Sequence, residues 1–336
     1  MDLQFIELDS FEICSGERFN LRLSYQLFGQ PLHTAPVVLV NHALTGNSQV
    51  AGDEGWWADI IGPGKVIDTE TYTVLAFNIP GNGFHQHTES FSMEYLKFKA
   101  RDIARMFAIG LERLCIDRLY AIVGASVGGG LVWELAGLRP DLARHLIPIA
   151  TDWKANDWLV ANCYVQDQIL NHSSQPVKDA RRHAMTFYRT PKSLNSKFKG
   201  EINESGPKVE SWLNHHGNSL KARFSVSAYK MMNQVLRTIR LADNKEAFLK
   251  VASGITGQIH LITISSDLLF KPEENWNTFI DLKTVKEDVT IGEIKSIHGH
   301  DAFLIEHGQL SKLLRPIFSH KYISHDHSQS SYIRNW

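Results

Sequence analysis

The stretch Arg118–Ala136 reads RLYAIVGASVGGGLVWELA, and the reading of its middle decides the fold. Leu119–Val123 is a short apolar run of the kind that forms a strand buried on both faces, and Leu131–Leu138 suits a helix. Between them lies Gly124-Ala125-Ser126-Val127-Gly128, a G-x-S-x-G pattern. A strand that passes straight into a helix must bend sharply, and glycines beside the bend remove Cβ atoms where backbone segments come close. Gly128, Gly129 and Gly130 would each cost about 1 kcal/mol relative to alanine inside a helix. Close packing of helix against strand is the economical reason for them. Ser126 then stands on the corner as a candidate nucleophile, with an inert serine in a tight turn as the competing reading.

Outward from this corner the chain alternates strands and helices. Residues 11–25 alternate loosely as an early hairpin would, closed by Gly29-Gln30-Pro31, and Val37–Val40 is the next strand. Gly55-Trp56-Trp57 to Gly62-Pro63-Gly64 reads as a loop with a short helix, and Tyr72–Phe77 as a strand. Ile103, Met106, Phe107, Leu111 and Leu114 mark one face of a helix within Ala100–Cys115. After the corner come strands at Leu146–Ala150, Gln258–Ile264 and Val289–Ile297, then a helix within Phe303–Arg315 stopped by Pro316. The alternation predicts an α/β fold with a mostly parallel, doubly wound sheet, which puts functional groups at the C-terminal strand ends. Residues 1–152 and 253–319 form the core in this reading. Residues 153–252, without β-like runs, form a helical lid insertion, and the polar, histidine-rich residues 320–336 form a mobile tail.

Composition narrows the function classes. Thirty-five basic residues against 36 acidic ones leave a net charge of -1, which argues against nucleic acid or an anionic membrane as partner. The start, MDLQFIELDS, lacks the pattern of a signal peptide, and no apolar run of about 18 residues occurs. The default expectation is a cytoplasmic protein. Cys14, Cys115 and Cys163 are far apart and sit in or beside apolar sequence, so they read as buried thiols and not as a disulfide framework.

A serine nucleophile needs an imidazole to take its proton and a carboxylate to orient that imidazole, and in this architecture they follow the serine in the order acid, then histidine. Asp267, just after the Gln258–Ile264 strand, is the preferred acid, and Asp152, just past the Leu146–Ala150 strand, is its rival. His298 and His300 compete as the base. A metal reading of His298-x-His300 or of His85-x-His87 lacks further ligands at matching spacing. The backbone N–H groups of Val127, after the nucleophile, and Leu44, in the loop after an early strand, are the expected oxyanion donors.

Asn41-His42-Ala43-Leu44-Thr45-Gly46, Gly55-Trp56-Trp57, Ile61-Gly62-Pro63-Gly64-Lys65, Ile67-Asp68-Thr69, Ser266-Asp267-Leu268-Leu269-Phe270 and Gly299-His300-Asp301-Ala302-Phe303-Leu304 together resemble the homoserine O-acetyltransferase family of α/β-hydrolase-fold enzymes. The likeness runs from about Phe11 to Ile317. It implies Ser126, Asp267 and His300 as the triad, with an acyl-serine intermediate. The implied co-substrate is acetyl-CoA or another acyl-CoA, with no bound cofactor and no metal. The acceptor is a hydroxyl amino acid, homoserine above all, on the way to methionine. It further implies that Arg223, followed by Tyr229, grips the substrate carboxylate, that Asp301 faces the substrate amine, and that the lid forms a homodimer. The chain departs from the family pattern at Ala125 and Val127, at the short Pro80-Gly81-Asn82-Gly83 stretch, and at Ser225-Val226-Ser227-Ala228. With the same triad, water in place of the amino acid would make an esterase or thioesterase.

Overall fold

The computed structural model describes residues 2–84, 95–204 and 206–319, so His85, His87 and the tail at 320–336 lie outside the described residues. One eight-stranded sheet is built from β1 (Gln4–Glu12), β2 (Arg18–Gly29), β3 (Val37–Asn41), β4 (Thr73–Phe77), β5 (Leu119–Ala125), β6 (Ala143–Ile149), β7 (Gln258–Ile264) and β8 (Val289–Ile294). Its spatial order is β1-β2-β4-β3-β5-β6-β7-β8. The β1–β2 and β2–β4 pairs are antiparallel and every later pair is parallel. This is the α/β architecture that the alternation predicts. The helices α1 (Ala100–Arg113) and α2 (Val127–Leu138) precede and follow β5. Between β6 and β7 the chain runs through α3 (Asp157–His172), α4 (Pro176–Tyr188), α5 (Pro191–Phe198), α6 (Lys208–Lys221), α7 (Val226–Arg237) and α8 (Lys245–Gly254). It then returns through α9 (Pro272–Lys283) and α10 (His307–Phe318).

Every residue of β3, β4 and β5 is buried, which is why these strands read as continuous apolar runs. On one face Phe107 and Leu111 of α1 and Leu131 and Leu135 of α2 join a core that continues into the insertion. On the other, Trp57, Tyr72, Tyr120 and Phe303 pack with Leu310, Leu314 and Phe318 of α10. Among the described residues no helix is long and apolar enough to cross a membrane.

Several local expectations are corrected. The hairpin begins at Gln4 and turns at residues 14–16, seven residues earlier than the alternation suggests. The Trp56-Trp57 segment forms turns and a small ladder of Ile61–Gly62 with Ile67–Asp68, not a helix. Its shape is held from outside, by Trp56 Nε1 donating to Asn47 O and Trp57 Nε1 to Phe303 O. Pro316 does not stop α10, which continues to Phe318. The tyrosine hydroxyls of Tyr120 and Tyr72 donate to the Ile317 and Phe318 carbonyls and fix that last turn. Cys163 is buried, but Cys14 and Cys115 are exposed, because they lie in the hairpin turn and in the bend after α1.

Candidate active site

β5 ends at Ala125 and α2 starts at Val127, which leaves Ser126 between them at φ 58° and ψ −125°. A non-glycine residue held there costs roughly 1–3 kcal/mol. Its neighbours impose it: the Ser126 N–H donates to Ile149 O at 2.9 Å, and Ser126 O accepts from Gly130 N at 3.0 Å. A Cβ on Gly124 would lie 2.2 Å from Gly128 O, and one on Gly128 would lie 2.4 Å from Asn41 O. The glycines thus let β5, α2 and β3 meet backbone to backbone, the close packing that the sequence suggests. Gly130 does the same for the insertion, since a Cβ there would be 2.2 Å from Ile239 Cδ1.

Asp267 and His300 meet across the ends of β7 and β8. Asp267 Oδ2 lies 2.7 Å from His300 Nδ1, while its Oδ1 accepts from the Leu269 and Phe270 N–H groups at 2.7 and 3.0 Å. The carboxylate is therefore fixed on one side and presented to the imidazole on the other. Burial alone would lower the His300 pKa, but the Asp267 charge and hydrogen bond, helped by Asp301, reverse it, and the net shift is upward. Phe270, Tyr188 and Phe303 surround the ring with centroids 5.6–5.8 Å away.

The rivals are occupied elsewhere. Asp152 accepts from Trp153 N and Thr278 Oγ1 at 2.8 and 2.9 Å, turned towards α9, and burial pushes its pKa up to about 7. His298 Nδ1 lies 2.8 Å from Arg189 Nη2 and 2.9 Å from Ser193 Oγ. A guanidinium donor makes that nitrogen an acceptor, so His298 is held neutral, and burial and the Arg189 charge lower its pKa. It has a cation where a catalytic base would need an acid.

Ser126 and His300 line one cavity of about 50 Å³ with Ala43, Leu44, Thr45, Arg181, Tyr188, Asp301, Phe303 and Leu304. A larger hollow of about 440 Å³ near Gln49, Asp53 and Glu54 contains neither serine nor histidine, so chemistry and not size selects the site. Val127 is the first residue of α2, whose N–H has no partner within the helix. Among the described residues the Leu44 N–H makes no backbone hydrogen bond either. His42 shapes that loop: Nδ1 pairs with Ala43 O at 2.8 Å and Nε2 accepts from Ile79 N at 3.0 Å. Burial drops its pKa to about 4, so the ring stays neutral with the proton on Nδ1.

Asp301 faces this cavity. Burial raises its pKa, against the opposing charges of Arg181 and His300. Arg223 lies outside the lining and donates from Nη1 to Thr45 O at 2.7 Å. Tyr229 is buried one layer away with Cys163 and Asn233, in a small hollow that shares Leu44 and Tyr188 with the Ser126 cavity. Burial pushes its phenol up to about 12, and among the described residues its hydroxyl has no hydrogen-bond partner. Sequence reasoning missed Arg181, Arg189 and His42. No local motif marks the arginines, since each reaches the site only through the packing of α4.

A mostly parallel sheet with a strained serine corner at its centre, and an acid–histidine pair at the neighbouring strand ends, defines the α/β-hydrolase class. Residues 36–279 match the family model described as alpha/beta hydrolase fold. A homoserine O-acetyltransferase of Salinibacter ruber is 30% identical, over 82% of this chain and 86% of its own. The chain belongs to the homoserine O-acetyltransferase family of that fold. Two solved structures share the architecture. A homoserine O-acetyltransferase from Bacillus anthracis has a TM-score of 0.83 at 19% identity, covering 95% of this chain and 98% of that one. An acetylester hydrolase from Corynebacterium glutamicum has 0.78 at 18% identity, covering 95% and 96%. At such identities these two likenesses speak for the fold alone.

Proposed function

We propose that the protein transfers an acyl group from acetyl-CoA to the hydroxyl of homoserine through an acyl-Ser126 intermediate. The observation that carries this is the Ser126 corner sharing a small cavity with His300, whose Nδ1 is held by Asp267 at 2.7 Å. His300 Nε2 takes the Ser126 proton as Oγ attacks the thioester carbonyl. The Leu44 and Val127 N–H groups receive the oxyanion. Collapse breaks the C–S bond, and the thiolate leaves as CoA thiol with the proton from His300. The homoserine hydroxyl then gives its proton to His300 and attacks the acyl carbonyl, and Ser126 departs with that proton. Asp301 faces the acceptor's ammonium, Arg223 braces the Thr45 carbonyl from outside the cavity, and Tyr229 backs the lid wall behind Tyr188.

Incubation with acetyl-CoA alone should give an acyl adduct by intact mass, and addition of homoserine should discharge it as O-acetylhomoserine. Transfer that persists in Ser126→Ala defeats the reading, and discharge to acetate at the same rate with or without homoserine would make the protein a hydrolase. A homodimer through the insertion belongs to the same proposal, with Trp158, Tyr164 and Val165 of α3 exposed. Sedimentation of wild type and Tyr164→Asp tests it, and a wild-type monomer at micromolar concentration ends that part.

A further inference from the structure

Several cations of the insertion are paired with carboxylates: Arg182 with Asp179 at 2.6 Å, Arg237 with Asp167 at 3.4 Å, Lys208 with Glu201 at 2.5 Å. Around Trp212 of α6 they are not. The Arg189 guanidinium carbon lies 5.7 Å from the centre of an indole ring that Lys197 Nζ approaches to 5.9 Å. His216, one turn further along α6, meets the same ring edge-on at 4.3 Å, with His215 beside it at 5.7 Å. Arg189 is buried, and the partners of its guanidinium, Ser193 Oγ and His298 Nδ1, are neutral. Among the described residues neither Arg189 nor Lys197 forms an ion pair. Burial, and after it the charges of Arg181, His215, Arg189 and Lys197, drop the His216 pKa to about 4. Asp301 feels Arg189 as well, but it feels Arg181 and His300 first.

We infer that the basic cluster around Trp212, formed by Arg189, Lys197, His215 and His216, binds the phosphates of the acyl-CoA donor. This rests on the acyl-transfer reading and deepens it. A buried cation without an anion is costly, and like charges gathered round one ring add their repulsion. A polyanion removes both costs at once, through charge-assisted hydrogen bonds from guanidinium, ammonium and imidazole to phosphate oxygens. The cluster is continuous with the site. Arg181 lines the Ser126 cavity and its charge acts on His216, while Arg189 and Lys197 act on His298, two residues before His300. A donor with its thioester at Ser126 therefore runs out along α4 and lays its phosphates against α5 and α6. An amino-acid acceptor has one carboxylate and would have to leave Ser126 to reach the cluster, whereas the donor is long enough in chain and rich enough in charge to occupy both. The phosphates take no part in the bond exchange, so the cluster supplies binding energy remote from the reacting carbonyl.

The test follows acylation of Ser126 by intact mass with two donors, acetyl-CoA and S-acetyl-N-acetylcysteamine, which carries the same acetyl thioester and no phosphate. The readout is the ratio of their second-order acylation rate constants in wild type, K197E, K197Q, K197R and K250E, the last a control that makes the same charge change on α8. Loss of charge-assisted hydrogen bonds predicts a fall of roughly tenfold or more in the K197E ratio. K197Q should fall less, and K197R and K250E should stay near wild type. Arg189 is left in place, because it also holds His298. Added salt should lower the wild-type ratio and move that of K197E less. A residue that only props α5 against Trp212 would slow both donors together and leave the ratio unmoved. A K197E ratio within about threefold of wild type overturns the assignment, as does an equal fall in K250E, which would give the effect to net charge. A wild-type protein that forms no acyl adduct with either donor fails the acyl-transfer reading itself, whereas adducts from both donors with an unmoved ratio remove only the phosphate site.

Discussion

At the scale of single residues, the site is decided by what each histidine and aspartate already touches. His300 touches a carboxylate and His298 a guanidinium, so only one of the two can be driven to accept a proton. Asp267→Asn would offer an amide N–H to His300 Nδ1 and favour the wrong tautomer. By the behaviour of such dyads, kcat should fall roughly 10³- to 10⁴-fold with little change in melting temperature. A fall below tenfold would mean that Asp267 does not orient the base. The raised pKa of His300 has a defined sign for activity: the neutral imidazole is the base, so kcat/KM for the acyl donor should rise with pH through an inflection above 6.5. An inflection below 6.5 would contradict the Asp267–His300 coupling. Asp152 gives the opposite kind of prediction, one of stability. Its folded pKa of about 7 exceeds its ordinary value of 3.8, so the fold binds a proton that the unfolded chain has lost, and stability falls as pH rises between those values. Asp152→Asn should remove that slope and keep acyl transfer, checked by denaturant melts at pH 5 and pH 8. The sequence order of Ser126, Asp267 and His300 was legible because topology fixes it. The choice of His300 over His298 came from the family likeness, since Arg189 reaches His298 only through the packing of the insertion.

At the scale of elements, α2 is the part most tightly specified. Its buried glycines trade helix propensity for approach to three different neighbours, the β3 backbone, Thr151 and Ile239. Gly128→Ala puts a methyl group against the Asn41 carbonyl, which cannot move without dragging β3. It should destabilise the fold by about 3 kcal/mol or more despite a gain of about 1 kcal/mol in helix propensity. Gly130→Ala meets the Cδ1, Cγ1 and Cγ2 atoms of the Ile239 side chain and no backbone, so its penalty should be smaller and should largely vanish in Gly130→Ala/Ile239→Ala. Equal penalties for the two single variants in chemical denaturation would disprove this account. That these glycines are packing devices could be read from their cost in a helix. What they pack against could not, because the partners come from other elements. The same limit explains why Pro316 was misread: its helix is held by Tyr72 and Tyr120, residues of the sheet side.

At the scale of the whole molecule, the insertion is fastened to the strand ends on both sides of Ser126. From one side Arg223 holds the carbonyl of Thr45, next to the Leu44 amide. From the other, Thr190 Oγ1 donates to Ile297 O while Arg189 and Ser193 hold His298, two residues before His300. The succession of strands along the chain and the helical character of the insertion were visible as a change in residue pattern. These fastenings were not, since they join residues that no local pattern connects. Their consequence concerns how such a protein can be altered. The insertion is a clamp whose jaws hold the Thr45 loop and the His300 loop in register. A chain with the helices 157–254 replaced by a short linker would not be a more open enzyme with broader substrates. It would keep its serine corner, which β3, β5, α2 and β6 shape, and lose the alignment of everything that acts on it.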